Sequence, residues 1–328
     1  MSARMLLSVA CIAGIGFTLA TTAPLASPDY VAAPASLWEA PHGGHERDLF
    51  NGPWGAGLAP DPHDTYTLVG RKQKGVNPGI IVTDSRGHTW HVKQAPESSR
   101  GAEGPVEVAI SRVLSAVGYH QPPVYYLPSF TLKNGSHTHV EPGGRFRRSD
   151  PALKSIGPWA WKDNPFVGTQ PFDGLLVILR VFNSWDLKDN NNRIYESRRE
   201  GRVEHWYVVR DLGGALGEDD GISPKRNNLE LYERSRYIKG VDKGYEGFVK
   251  FSYRGKRQEL LDRRITLEDV RWASSLLAGL DDRQWRDAFR AGGYGDVVSD
   301  RFIRKIHDNI NQGLHLTNPT WRSADDGR

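Results

Sequence analysis

The amino-acid sequence predicts an α+β fold in two lobes: a β-rich first lobe carrying one helix, then a mainly helical second lobe. Three observations predict it. The runs TYTLVG, GIIVTD and TWHVKQ, between residues 65 and 94, read as strands, the last two flanking the short polar DSRG of a β-hairpin. The next run, GPVEVAISRVLSAVGY, places Val106, Ala109, Ile110, Val113, Leu114 and Val117 at helical spacing. The final third carries helix patterns with their own start and stop residues.

The elements follow in order. Residues 1–27 have a basic start at Arg4, an apolar run from Met5 to Ala20 and small residues after it, the pattern of a secretory signal peptide. An uncleaved anchor is the alternative, weakened by Gly14, Gly16 and two threonines in the run. The chain's single cysteine, Cys11, lies in this segment, so the mature protein is expected to have no disulfide and no cysteine-based site. Residues 28–64 are rich in Pro, Gly and Ala and are expected to form a linker or irregular extension. The β-rich lobe is placed at 65–132 and the helical lobe at 133–328.

Within the first lobe, Pro105 suits the opening turn of the helix and Gly118 the position after its end. PPVYYLP reads as a short strand, and the chain from Lys133 to about Pro171 as loop-rich. FDGLLVILRVFNSW is too long for most strands and reads as a buried helix, and EHWYVVRDL reads as a strand inside a hairpin-like insertion at 193–210. Thr266 and Asp281 are expected N-caps, with Gln284 completing a capping box, and Gly292 stops that helix. Val298, Phe302, Ile306 and Ile310 line one face of the last helix.

Composition narrows the function classes. A chain of 328 residues with 38% hydrophobic and 25% charged residues is that of an ordinary globular protein. Its formal charge is +4 and its basic residues are dispersed, which excludes a dedicated nucleic-acid binder. Ten Trp and twelve Tyr suit core and loop packing, including Trp159 and Trp161. The pairs His42 and His45, and His137 and His139, lack helical spacing for metal ligation and read as solvated loop. Arg145, Arg147 and Arg148 read as a solvated basic face. No G-x-S-x-G, H-E-x-x-H or P-loop is present.

Five residues fall in an order that phosphoryl transfer needs. Lys93 ends a strand and suits the donor's phosphates. Glu107, on the following helix, suits the orientation of that lysine. Asp186 opens the polar run WDLKDNN after the apolar helix, where it can position a hydroxyl and accept its proton. Asn191 closes that run, and Asp211 follows the next strand. Amide and carboxylate oxygens are the ligands a hard cation such as Mg²⁺ or Mn²⁺ prefers.

WDLKDNN resembles the protein-kinase superfamily's catalytic loop, RDLKPEN, and RDLGG resembles its DFG motif. VKQ is similar to the strand that bears the lysine, and EVAISRVLSAVG to the helix bearing its glutamate. The resemblance spans about residues 66–217. It implies a two-lobed protein-kinase-like fold, Lys93 and Glu107 as the nucleotide-binding ion pair, Asp186 and Lys188 as catalytic residues, and Asn191 and Asp211 as metal ligands. It also implies ATP or another nucleotide as donor, with a protein or small molecule as acceptor. The phosphate-holding loop then lies between Gly70 and Gly87. No G-x-G-x-x-G precedes Lys93, Ser184 and Trp185 replace His-Arg, no A-P-E segment is found, and Asp211 follows Asn191 by twenty residues. This pattern resembles the divergent kinase-like groups: HipA-type, phosphatidylinositol, spore-coat-type and secretory-pathway kinases. The expected function is a secreted or periplasmic phosphotransferase, with a non-catalytic pseudokinase as alternative. A secreted two-carboxylate glycoside hydrolase is a further alternative, which would leave the lysine and the asparagine without a role.

Overall fold

The alternating runs near the start of the chain close into a barrel. The computed structural model describes residues 33–71, 79–94, 103–199, 201–218, 225–242 and 247–317, so the expected signal peptide lies outside the described residues. Strands β2 (Thr65–Arg71), β3 (Gly79–Thr83) and β4 (Thr89–Gln94) are sequential antiparallel neighbours. Strands β5 (Val124–Asn134) and β6 (His137–Arg148) complete the order β2-β3-β4-β6-β5, and β5 returns to pair in parallel with β2. Period-two alternation sends Ile80, Val82, Trp90, Val92 and Phe146 inward, where they join Tyr66, Phe130 and Leu132. Lys93 and His91 therefore stand on the other face of β4. The DSRG turn closes on Gly87, at φ +82°, and the Asp84 carboxylate accepts from the backbone N–H groups of Arg86 and His88.

The stretch expected to be loop-rich, from Lys133 to about Pro171, contains the end of β5 and two further strands. β6 runs to Arg148, so the barrel extends past the expected lobe boundary at residue 132, and β7 (Leu153–Gly157) follows. Trp159 and Trp161 are buried against the helical part, as packing predicts. The expected phosphate-holding stretch corresponds to β2, β3 and their surroundings, and its residues 72–78 lie outside the described residues.

Helix α1 (Glu103–Ala116) buries almost every side chain, and Gly118 ends it at φ +100°. Helix α2 (Gln170–Val181) is the apolar run, buried from Phe172 through Val181. The hairpin expected at 193–210 is β8 (Asn192–Arg199) with β9 (Arg202–Val209), part of a four-stranded sheet with β7 and the short β1 (Ala35–Ser36). A short helix α3 (Leu229–Arg234) and a ribbon of β10 (Ile238–Val241) and β11 (Val249–Phe251) precede the three-helix end. There α4 (Leu267–Ala278) and α5 (Asp282–Ala291) each begin in a full capping box, at Thr266 and Asp281, and Gly292 caps α5. Helix α6 (Asp296–Leu314) buries Phe302, Ile306 and Ile310 from the expected face, while Val298 stays exposed. The described residues thus form a mixed α and β fold with six helices among them.

The segment expected as a linker is irregular but docked. β1 pairs in parallel with β9, Ala35 opposite His205. Leu37 and Leu49 are buried in the main core with α1 and α2 residues. The Trp38 indole N–H donates to Val117 O at 2.7 Å, and the Glu39 N–H to Gly118 O at 2.9 Å. Ser36 Oγ lies 2.6 Å from His120 Nε2.

Candidate active site

The outward face of β4 meets the first turns of α1 at a cluster of charges. Lys93 Nζ lies 3.0 Å from Glu103 Oε2 and 3.5 Å from Glu107 Oε2, and it also contacts Asp211 Oδ1. Glu103 and Glu107 are one turn apart, so both carboxylates face the strand. Each has a second cation. Arg226 pairs with Glu103, and Arg145 Nε lies 3.0 Å from Glu107 Oε1. Burial would raise the Glu107 carboxyl, but Arg145 and then Lys93 hold it below the usual glutamate range. Burial likewise opposes ionisation of Asp211, and Lys93, by charge and hydrogen bond, keeps its carboxyl below the usual range.

Asp211 sits just past β9 at φ +59°, in the left-handed region. Its side chain is 46% exposed, whereas that of Lys93 is 11% exposed, so the carboxylate forms the open edge of the cluster. The glycines after it permit close approach. A Cβ on Gly213 would stand 2.8 Å from Glu103 Cβ, and one on Gly214 3.1 Å from Asp186 Cβ. The 211–214 run is thereby wedged between α1 and the Asp186 loop.

That loop is a second, adjoining cluster. Lys188 Nζ donates to Asp186 at 2.8 and 3.0 Å. Asn191 Nδ2 donates to Asp186 O at 2.9 Å and Oδ2 at 3.2 Å, which leaves its Oδ1 without a hydrogen bond among the described residues. The two clusters are joined through backbone: Trp185 N–H donates to Gly214 O at 3.2 Å, and Arg210 N–H to Asn191 O at 3.2 Å. All six predicted residues therefore fall into two neighbouring groups: Lys93, Glu107 and Asp211 in one, Asp186, Lys188 and Asn191 in the other. No side-chain hydrogen bond or ion pair joins the groups among the described residues.

Sequence reasoning missed Glu103, Arg226 and Arg210, and it assigned Arg145 to a solvated face. Arg145 is buried, and Arg147 and Arg148 are partly buried. The i, i+4 spacing of Glu103 and Glu107 was an available signal for the first. Alternation of Arg145 and Arg147 about the apolar Phe146 was another, once 137–148 is read as a strand. His137 and His139 are exposed on that strand, and His45 is exposed beside Asp281.

Chemically, the first cluster offers an ammonium for phosphate oxygens. Asp211 and Asn191 Oδ1 offer two oxygen donors of the kind a hard cation takes. No group of three or more His, Cys, Asp or Glu able to hold a metal occurs among the described residues, so a cation here would depend on ligand oxygens as well. A cavity of about 240 Å³ opens beside Lys93, Glu107 and Asp211, and another of about 420 Å³ lies against Lys188, Asp189, Lys256 and Arg257. No helix among the described residues is long and apolar enough to cross a membrane.

No protein-family model and no curated protein matches the chain. Among solved structures it is similar to a Helicobacter pylori proinflammatory kinase, CtkA, at 11% identity and a TM-score of 0.43, over 77% of this chain and 97% of that one. It is also similar to the Rio2 kinase from Chaetomium thermophilum, solved as an ADP/Mg²⁺–phosphoaspartate complex. That match has 11% identity and a TM-score of 0.28, over 75% of this chain and 71% of that one. With both TM-scores below 0.5, the functional reading rests on the chain's own residues.

Proposed function

We propose that the chain is an exported, kinase-like phosphotransferase, two-lobed in the manner of that superfamily, acting on a Mg-nucleotide. The observation that carries the reading is the gathering of Lys93 against Glu103, Glu107 and Asp211 from three separate segments, with the Asp186–Asn191 loop tied to the same Asp211 turn. Lys93 binds donor phosphate oxygens and is aimed by the two glutamates. Asp186 orients the acceptor hydroxyl and accepts its proton, with Lys188 and Asn191 holding the carboxylate in place. Asp211 and Asn191 hold the divalent ion, which supplies charge neutralisation on the phosphates. The cavity lined by Lys188, whose ammonium contacts Asp186, offers an acceptor a place near that carboxylate. Export follows from the signal-peptide pattern of residues 1–27.

A non-catalytic binding protein is the second reading, favoured by the contact between Lys93 and Asp211, which engages the ammonium with a protein carboxylate. One experiment separates the two. Melting is followed with Mg²⁺ and ATP for wild type and Asp211→Ala, since a ligand bound only by the folded state raises the melting temperature. A rise that disappears in Asp211→Ala supports transfer. A metal-independent rise that survives the substitution supports binding alone, and no rise in either protein removes the nucleotide reading.

A further inference from the structure

The cavity beside Lys93 has one wall of arginines. Strands β4 and β6 are in register there, with Lys93 opposite Arg145 and His91 opposite Arg147. Arg210 enters from the end of β9, and the same cavity is lined by His91, Glu107 and Asp211. Four permanent cations thus face two carboxylates. Arg145 is engaged by Glu107 and Lys93 by its carboxylates. The Arg210 side chain donates to the Tyr195 hydroxyl, a neutral partner, at 2.8 Å. The Arg147 side chain makes no hydrogen bond or ion pair with any described residue. Burial, and then the charges of Arg210 and Arg145, push its guanidinium down to about 10, so it remains cationic at neutral pH.

Clustered like charges repel unless an anion offsets them. A nucleobase brings no negative charge to such a wall, whereas a phosphate group does. A guanidinium fork also matches phosphate oxygens bidentately. Asp186, Lys188 and Asn191 do not line this cavity, so the wall belongs to the donor side of the site.

We propose that Arg147 and Arg210 form an anion subsite that grips a phosphate group of the donor beyond those held at Lys93. The ligand class is a compact molecule with several phosphates, such as a polyphosphate chain, rather than a donor recognised through its nucleobase. The assignment to the donor rests on the phosphotransfer reading; the anion subsite itself does not.

The test is binding of inorganic tripolyphosphate, ATP and adenosine to the full chain, each with EDTA and each with Mg²⁺. The variants are Arg147→Gln, Arg147→Lys, Arg210→Gln, the double Gln variant and Asp211→Ala. Expected is metal-independent tripolyphosphate binding that falls about tenfold or more in each Gln variant and less in Arg147→Lys. Adenosine gives no signal. Without ligand, Arg147→Gln melts no lower than wild type, because a repulsion is relieved, so lost binding is not lost folding. Unchanged tripolyphosphate binding in the double variant, or adenosine binding that the arginine changes leave alone, overturns the subsite. If the double variant binds tripolyphosphate like wild type while Asp211→Ala removes the Mg-ATP response, only the subsite fails. If the arginines carry tripolyphosphate binding but no protein responds to Mg-ATP, the subsite stands and nucleotide-dependent transfer fails.

Discussion

Arg145 lies nearer to Glu107, at 3.0 Å, than Lys93 does, at 3.5 Å, while Glu103 takes Lys93 at 3.0 Å. The two glutamates thus have different principal cations. We predict that Glu103→Gln weakens the Mg-ATP melting response with little loss of stability in its absence. Glu107→Ala strands the buried Arg145 and costs about 3 kcal/mol in urea unfolding. The reverse pattern, with Glu107 setting ligand response and Glu103 setting stability, would falsify this division.

Acid should destabilise the protein through the same cluster. Glu107 and Asp211 titrate lower in the fold than their ordinary values of 4.5 and 3.8. Their stabilisation is therefore fully present above those ordinary values and is lost as pH falls through the lower folded values. Urea midpoints measured from about pH 7 to about pH 3 should drop steeply below about pH 4.5, and Glu107→Gln should flatten that limb.

A second limb is expected at milder pH. His120 is buried, stacked on Trp206 with centroids 4.4 Å apart, and burial and then Arg199 lower its pKa from 6.5 to about 4. The proton therefore favours the unfolded chain, and stability declines as pH falls from 6.5 toward 4. The full loss is about 3 kcal/mol. His120→Gln should remove this limb and leave the lower one; a stability profile that is flat between these values in the wild type would contradict it.

Gly213→Ala tests the wedge between α1 and the Asp211 turn. The added methyl meets Glu103 Cβ at 2.8 Å and Glu103 O at 3.1 Å, so helix and turn must separate. The expected outcome is a cost of about 1–3 kcal/mol together with a reduced Mg-ATP response. Gly57→Ala, where the methyl meets nothing within 4 Å, is the control.

The barrel strands near the start of the chain were legible because one face is packed, so the buried Ile80, Val82, Trp90 and Val92 alternate with partly buried residues such as Ile81, His91 and Lys93. The β5–β6 hairpin was not legible. Its outer half, including Lys133, Asn134, His137, Thr138 and His139, is exposed on both faces, so no alternation survives. Gly143 and Gly144 read as loop, yet they sit in a strand that passes too close to Leu127 O and Val92 for a side chain.

At the site, the order of Lys93, Glu107, Asp186, Asn191 and Asp211 was readable because each sits in or just beyond a recognisable element. The second glutamate was hidden by assigning one partner to one lysine. The arginines were hidden with their strand, since charge runs are ordinarily solvated and only the register of β4 with β6 turns Arg145 and Arg147 toward Lys93.

The docked stretch from β1 to Leu49 sets a limit on N-terminal trimming. A protease acting ahead of Pro34 leaves these tethers in place: the His205 N–H bond to Pro34 O, the parallel ladder to β9, the Ser36–His120 contact, the indole clasp on Val117 and the two buried leucines. Loss of the chain up to a cut between Leu37 and Leu49 would take Leu37 out of the core that it shares with α1 and α2 residues. The chain therefore tolerates N-terminal shortening only up to the edge of that first strand.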